Sequence, residues 1–232
     1  MFVYGRNPVH EAIRGPRTVS RVWATSGAAR EPWLAGRVEL ATGEEIAGRC
    51  GSEAHQGICA EVSAYRYHDP QALLRLPEPL IVVLDQVQDP QNLGSICRSA
   101  ECAGASGVVL PERRSAEVTP AVCKASAGAV EHLPVAIVRN LADFLADAKG
   151  AGLWCYGADA AATVAYDQVD YTGGAVLVLG SEGRGLRPRV AAACDALVAL
   201  PLRGQIESLS VGAAAAVLLY AASSSRAKAS SA

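Results

Sequence analysis

The sequence has no apolar run long enough to cross a membrane, no CxxC pair among its seven cysteines and no excess of positive charge. The first absence excludes a membrane-spanning helix. The start MFVYGRNPVH also lacks the basic opening and apolar stretch of a signal peptide, so a cytoplasmic location without a membrane partner is expected. An odd number of cysteines with no ligand-like spacing excludes a disulfide framework and a recognisable zinc site and suits a reducing compartment. Those cysteines read as core packing. His10, His55, His68 and His132 lack ligand spacing, so no metal is expected. Net charge is −2, from 21 Lys+Arg against 23 Asp+Glu, which is not the footprint of a protein that clamps nucleic acid by charge alone. Arginines do cluster locally, at Arg113 and Arg114 and at Arg184, Arg187 and Arg189, and folding can gather such clusters into a patch that tracks phosphates.

What is present suffices for a large core: 232 residues, 50% hydrophobic. Residues 1–64 alternate helix and strand signals. Asn7-Pro8 opens a short helix to Arg14, Val19–Ala24 and Gly57–Val62 read as strands, and Thr42 caps a helix whose first turn is acidic. Ala28–Leu40 carries only a reduced helix. Residues 65–79, with three prolines, read as a linker. After it, apolar runs at Leu80–Leu84, Gly107–Leu110, Pro134–Val138, Gly152–Tyr156, Ala175–Leu179 and Ala196–Leu200 alternate with helix-length segments, the pattern of an α/β doubly wound parallel sheet over residues 80–222. Ligands on such sheets bind beyond the carboxyl ends of the strands. The tail 223–232, SSSRAKASSA, reads as disordered.

Three segments begin at such strand ends: DQVQDPQNLGSICRSAECAGASGVVL from Asp85, LVLGSEGRGL from Leu177 and LPLRGQIESLS from Leu200. Together, in this order, they resemble the three motifs of the SpoU/TrmH family of RNA ribose 2′-O-methyltransferases. The pieces GRNPVHEAI and HQGICAEVSAY resemble the small L30e-like domain that precedes the catalytic domain in the ribosomal branch of that family. The resemblance implies a C-terminal trefoil knot, which general topology rules would not suggest. It also implies S-adenosylmethionine as cofactor, a homodimer, and methylation of a ribose, a guanosine in 23S ribosomal RNA, with transfer RNA as the alternative substrate.

The glycines Gly180, Gly183 and Gly185 let backbone approach a ligand, although the same pattern also describes a tight βα turn. By resemblance Gly180, Leu200, Leu209 and Ser210 bind the cofactor, and Asn92, Arg98, Glu182 and Ser208 are catalytic. On residue type alone, Leu200 and Leu209 read as core, and Arg98 reads as one half of an ion pair with Glu101. In the family this arginine is proposed as a base. A guanidinium with a pKa above ~12 is better suited to clamping a phosphate and stabilising a developing oxyanion. Asn92 orients Arg98 or the ribose, or caps a helix; Glu182 holds an arginine or accepts a proton, or is an ordinary turn carboxylate; Ser208 serves the site or caps the last helix. The third motif departs from its usual Ser-Leu-Asn by Ser210, and Gly212 stands where Ser is common. That departure keeps open a second class of function, an RNA-binding protein with reduced or lost activity. A nucleotide-dependent oxidoreductase, suggested by the sheet alone, lacks GxGxxG after its first strand.

Overall fold

The computed structural model describes residues 1–34, 36, 38–206 and 208–229. Its N-terminal unit runs β1 (Phe2–Tyr4), α1 (Arg6–Arg14), β2 (Val19–Ala24), β3 (Glu39–Leu40), α2 (Gly43–Cys50) and β4 (Ile58–Val62). The strands form one mixed sheet in the order β1-β4-β2-β3. Thr42 starts α2 with a capping box: its hydroxyl accepts the Glu45 N–H at 3.2 Å, and the Glu45 carboxylate accepts the Thr42 N–H at 2.7 Å. The reduced helix expected in Ala28–Leu40 is two single 3₁₀ turns, Ala28–Arg30 and Pro32–Leu34, followed by β3; Ala35 and Arg37 lie outside the described residues.

The second unit continues with α3 (Pro70–Leu74), β5 (Leu80–Asp85), α4 (Pro90–Cys102), β6 (Gly107–Pro111), α5 (Pro120–Ala125), β7 (Val135–Val138), α6 (Leu141–Gly150), β8 (Trp154–Ala158), β9 (Val164–Ala165), β10 (Ala175–Gly180), α7 (Pro188–Ala191), β11 (Ala196–Ala199) and α8 (Val211–Ala229). All pairings in its seven-stranded sheet are parallel, in the order β7-β6-β5-β10-β8-β11-β9. Every apolar run of the sequence in this unit is one of these strands. The side chains of the central strands β5, β6 and β10 are buried on both faces, as a parallel sheet between helices requires. Three helices begin with the same device, a capping residue followed by proline at the first helical position: Asp69-Pro70, Asp89-Pro90 and Thr119-Pro120.

Two sequence expectations are corrected. Residues 65–79 are docked rather than free, because they include α3, the Tyr67 hydroxyl accepts the Val118 N–H at 3.0 Å, and the His68 N–H donates to the Val135 carbonyl at 2.9 Å. The tail is helical to Ala229, since α8 continues through Ser223, and only residues 230–232 fall outside the described ones.

The two units share one core in which Val3, Val9 and Ala12 pack in the same cluster as Val122 and Val130. At its rim Arg17, 6% exposed at the side chain, is forked onto Glu131, which is fully buried. Burial pulls the Arg17 pKa down, but the hydrogen bonds and charge of Glu131 outweigh it, so the guanidinium is held above its ordinary value. Removing one member of such a pair leaves a buried charge unpaired, at a cost of about 3–5 kcal/mol. Glu11 to His132 at 2.7 Å and Lys124 to Gln56 at 2.8 Å extend the same junction. The N-terminal unit is therefore held in a fixed position against α5 and the turn that follows it.

Candidate active site

The carboxyl ends of β5, β8, β10 and β11 point to one edge of the sheet, and there the chain forms two adjoining clefts. The larger, about 450 Å³, lies under the turn 180–186 and is walled by Leu179, Val198, Leu200, Leu209 and Ala214, with Ala158–Ala161 on the far side. The smaller, about 330 Å³, lies between the turn 86–92 and the same glycine loop, and shares Ser181, Glu182, Arg184 and Val211 with its neighbour. Volumes in this range are those of small-molecule sites.

The glycine loop has a definite reason for each glycine. A Cβ on Gly180 would sit 2.1 Å from the Gly185 carbonyl carbon and 2.4 Å from the Leu186 nitrogen, so the loop closes back on its own strand only because Gly180 has no side chain. Gly183 and Gly185, at φ 75° and 64°, take left-handed conformations and face open space. Gly180 thus shapes the loop, and Gly183 and Gly185 leave backbone open towards the clefts. The loop is tied to the first motif by Asp85 at the end of β5. Its carboxylate, 1% exposed as a residue, accepts the Arg187 N–H at 2.8 Å and the Arg187 Nε at 2.7 Å. Sequence reasoning missed this pair. The signal available was an acid ending an otherwise apolar strand, since a buried carboxylate must have partners.

The third motif is an exposed strap. Among the described residues of 201–209, no backbone or side-chain group makes a hydrogen bond to the rest of the chain. Buried backbone groups are almost always paired, so a strap with free amides and carbonyls beside an apolar cleft is suited to main-chain contact with a ligand. Leu200 and Leu209 line that cleft, with Leu209 45% exposed, so neither is simply core. Ser208 lines it as well. The cap of α8 is Ser210, not Ser208: its hydroxyl accepts the Ala213 N–H at 3.2 Å, and its carbonyl accepts the Ala214 N–H at 3.0 Å. Ser210 is not on the cleft wall.

Glu182 is exposed, and its carboxylate accepts the Val211 N–H at 3.3 Å, which fastens the glycine loop to the start of α8. Among the described residues it holds no arginine. Asn92 borders the smaller cleft and is not a cap, because Asp89 accepts the Gln91 N–H in that role. Gly212 faces α4, and a Cβ there would meet the Ser95 hydroxyl at 2.5 Å. The departure from Ser at position 212 is thus matched by Ser95 in the same space.

Arg98 is apart from all of this. It borders a third cleft, about 540 Å³, between the two units, with Glu11, Arg14 and His132, and none of the residues lining that cleft lines the other two. Six residues of helix carry it about 9 Å along α4 and about 120° around the axis from Asn92. Among the described residues Arg98 forms no ion pair, with Glu101 or otherwise. The structure therefore joins Gly180, Glu182, Leu200, Ser208 and Leu209 at one cleft and Asn92 at its neighbour, and leaves Arg98 outside both.

Among the described residues no cysteine lines the two adjoining clefts. Burial pushes Cys59 and Cys123 up to about 11 and Cys97, Cys155 and Cys194 up to about 12, so they stay protonated. His55 keeps its ring folded onto its own turn, where Nδ1 accepts the Gly57 N–H at 2.9 Å. Among the described residues no three His, Cys, Asp or Glu side chains gather as metal ligands. No helix among them is long and apolar enough to cross a membrane.

Comparison with known proteins agrees over both units. Residues 79–220 match the model of the SpoU rRNA Methylase family, and residues 2–68 match that of an RNA 2′-O ribose methyltransferase substrate-binding domain. A putative TrmH family tRNA/rRNA methyltransferase, YacO of Bacillus subtilis, is 37% identical over 94% of this chain and 93% of its own. Two solved structures are similar throughout. The SpoU methyltransferase AviRb of Streptomyces viridochromogenes, in complex with AdoMet, has a TM-score of 0.81 at 27% identity over 97% of this chain and 89% of its own. An AdoMet-bound rRNA methyltransferase from Sinorhizobium meliloti has a TM-score of 0.79 at 26% identity over 95% and 85%.

Proposed function

Because this chain belongs to the SpoU rRNA methylase family and is an RNA methyltransferase whose cofactor is S-adenosylmethionine, we propose that it methylates the 2′-hydroxyl of a ribose in cytoplasmic RNA, a guanosine of 23S ribosomal RNA, as a homodimer. The observation that carries the reading is the strap 201–209, whose described residues leave their backbone unpaired beside an apolar cleft at the carboxyl edge of a parallel sheet. Transfer RNA is the second reading, since the Bacillus subtilis relative's name covers both substrates. The N-terminal unit, matching a substrate-binding domain and fixed against the catalytic unit, favours the ribosomal one. We further read that unit as L30e-like, and the path from β11 beneath the glycine loop to α8 beside α4 as a knot, with Glu182 holding the loop to the threaded segment.

The residues fit the cofactor. Leu179, Val198, Leu200, Leu209 and Ala214 supply apolar walls, and the strap and the glycine loop supply backbone donors and acceptors. When bound there, S-adenosylmethionine provides an activated methyl group on a sulfonium. The remaining tasks fall to the chain: orienting the ribose, keeping water out and relieving the hydroxyl oxygen of its proton. Asn92 borders the adjoining cleft, where it is suited to orient the ribose. Glu182, exposed and shared by both clefts, is suited to accept a proton. Ser208, with a free hydroxyl, is suited to hold either ligand.

Arg98 supports the dimer. It lies outside the two adjoining clefts of its own chain, so a role at the reacting oxygen calls for a second copy to supply it. Apolar residues are exposed for such an interface, with Val217 at 39% and Tyr220 at 53% on α8 and Trp154 at 58%. Capping by Ser210 argues for a working third motif, since Ser and Asn are equivalent at this position of a helix. Sequencing-based mapping of 2′-O-methylation in ribosomal and transfer RNA, from cells with and without the gene, tests the substrate. Loss at one guanosine of 23S RNA is expected, and loss at a tRNA position favours the second reading.

A further inference from the structure

The turn between β5 and α4 is pinned at alternate residues. Asp85 holds Arg187; the Val87 carbonyl accepts the Ala116 N–H at 2.9 Å and the Ser115 hydroxyl at 3.5 Å; and Asp89 accepts the Gln91 N–H at 3.0 Å. The two residues between them are both glutamines. Gln86 and Gln88 line the smaller cleft with Asp89, Asn92, Glu182 and Arg184. Among the described residues neither glutamine amide makes a hydrogen bond, although Gln86 is half-buried. Gln86 also has φ 63°, a left-handed conformation that a residue with a side chain rarely adopts outside functional or tightly constrained positions.

We propose that this cleft seats the target nucleotide of the RNA and that Gln86 and Gln88 read the edge of its base. The proposal rests on the reading of the protein as a ribose methyltransferase. A carboxamide presents an acceptor and a donor side by side, the complement of the adjacent donor and acceptor on a nucleobase edge. Such an edge is accessible only when the base is out of its stack, as in the single-stranded loops that proteins read in RNA. The cleft satisfies the geometric need, because it shares Glu182 and Arg184 with the cofactor cleft, so a base held by the glutamines leaves its ribose between the two. Pinning at 85, 87 and 89 fixes the backbone that carries the two glutamines before RNA arrives, and their unpaired amides are left to pair with a base.

The test uses the full chain and a short RNA spanning the methylated position mapped in cells, made in four versions that differ only in the target base. The variants are Gln88→Ala and Gln86→Gly; the glycine removes the amide and suits the left-handed backbone, so the turn is retained. Each is expected to lower the preference for the natural base roughly tenfold, through KM more than kcat, with cofactor Kd and Tm no worse than those of the parent. Unchanged base preference in both variants, or a loss of preference that accompanies lost cofactor binding, would overturn the proposal. If no ribose of cellular RNA depends on the gene, the functional reading falls first and this one with it. If a site is mapped and the variants read its base as the parent does, this one falls alone.

Discussion

Asp85 and Arg187, 102 residues apart, are joined by two hydrogen bonds that one carboxylate accepts, at 2.8 Å from the Arg187 backbone N–H and at 2.7 Å from its Nε. They tie the strand that opens the first motif to the loop of the second. Hydrogen bonds to a charged group contribute about 1.5–3 kcal/mol. Asp85→Ala is expected to lower stability by that order and to weaken cofactor binding, because the loop 181–187 loses its tie to the sheet. Thermal unfolding and calorimetric titration of the variant check both effects.

A second prediction concerns position 212. Gly212→Ser drives a Cβ to within 2.5 Å of the Ser95 hydroxyl, which donates to the Asn92 carbonyl at 2.9 Å. Overpacking of this kind costs about 1–3 kcal/mol. Adding Ser95→Ala to the same chain should recover most of the loss, and a double-mutant cycle measures the coupling. If the two changes are additive, Ser95 is not what excludes a side chain at 212.

Much of this arrangement was legible in the sequence, and what was not has a physical cause. Each strand from β5 onward, except β9, announced itself as an apolar run. β9 is two residues, Val164–Ala165, held by pairing with β11 rather than by its own composition. Ser208 and Ser210 are equally fit to cap a helix, and only the geometry of α8 chooses Ser210. Asp85 and Arg187 meet because β5 neighbours β10, a pairing that no local pattern records. The separation of Asn92 from Arg98 follows from helix geometry alone, whereas what Arg98 faces depends on how α1, packed on α5 and the turn after it, places Glu11 and Arg14 across the cleft.

The junction between the units carries a pH dependence. Burial raises the Glu11 carboxyl, but hydrogen bonding by His132 and the charges of Arg14, His10 and His132 outweigh it and hold it below its ordinary value. A carboxylate lowered on folding stabilises the fold above its unfolded pKa, near ~4.3, and that contribution disappears as pH falls through the folded value. Glu11→Gln should therefore lower Tm at pH 7 and make little difference at pH 3. A gap between the two proteins that persists undiminished in acid would remove Glu11 from the junction's electrostatics.

Completion of the site across a dimer gives a fourth prediction. Arg98→Ala keeps the cofactor cleft and lacks the arginine, while Gly180→Val breaks the glycine loop and keeps the arginine. Mixed and allowed to exchange subunits, two inactive proteins should regain about a quarter of parental activity, because half the dimers are mixed and each has one complete site. Arg98 acting within its own chain gives no recovery.

The central claim, methyl transfer to ribose oxygen, is tested most directly by incubating the purified protein with radiolabelled S-adenosylmethionine and RNA from cells lacking the gene, then hydrolysing the RNA in alkali. Cleavage needs a free 2′-hydroxyl, so a methylated ribose protects its own linkage. The account predicts label in alkali-resistant dinucleotides, abolished by Gly180→Val and strongly reduced by Arg98→Lys, which keeps the charge but loses the planar fork. Label recovered only in mononucleotides would place the methyl on a base and contradict it, as would the absence of transfer to any RNA.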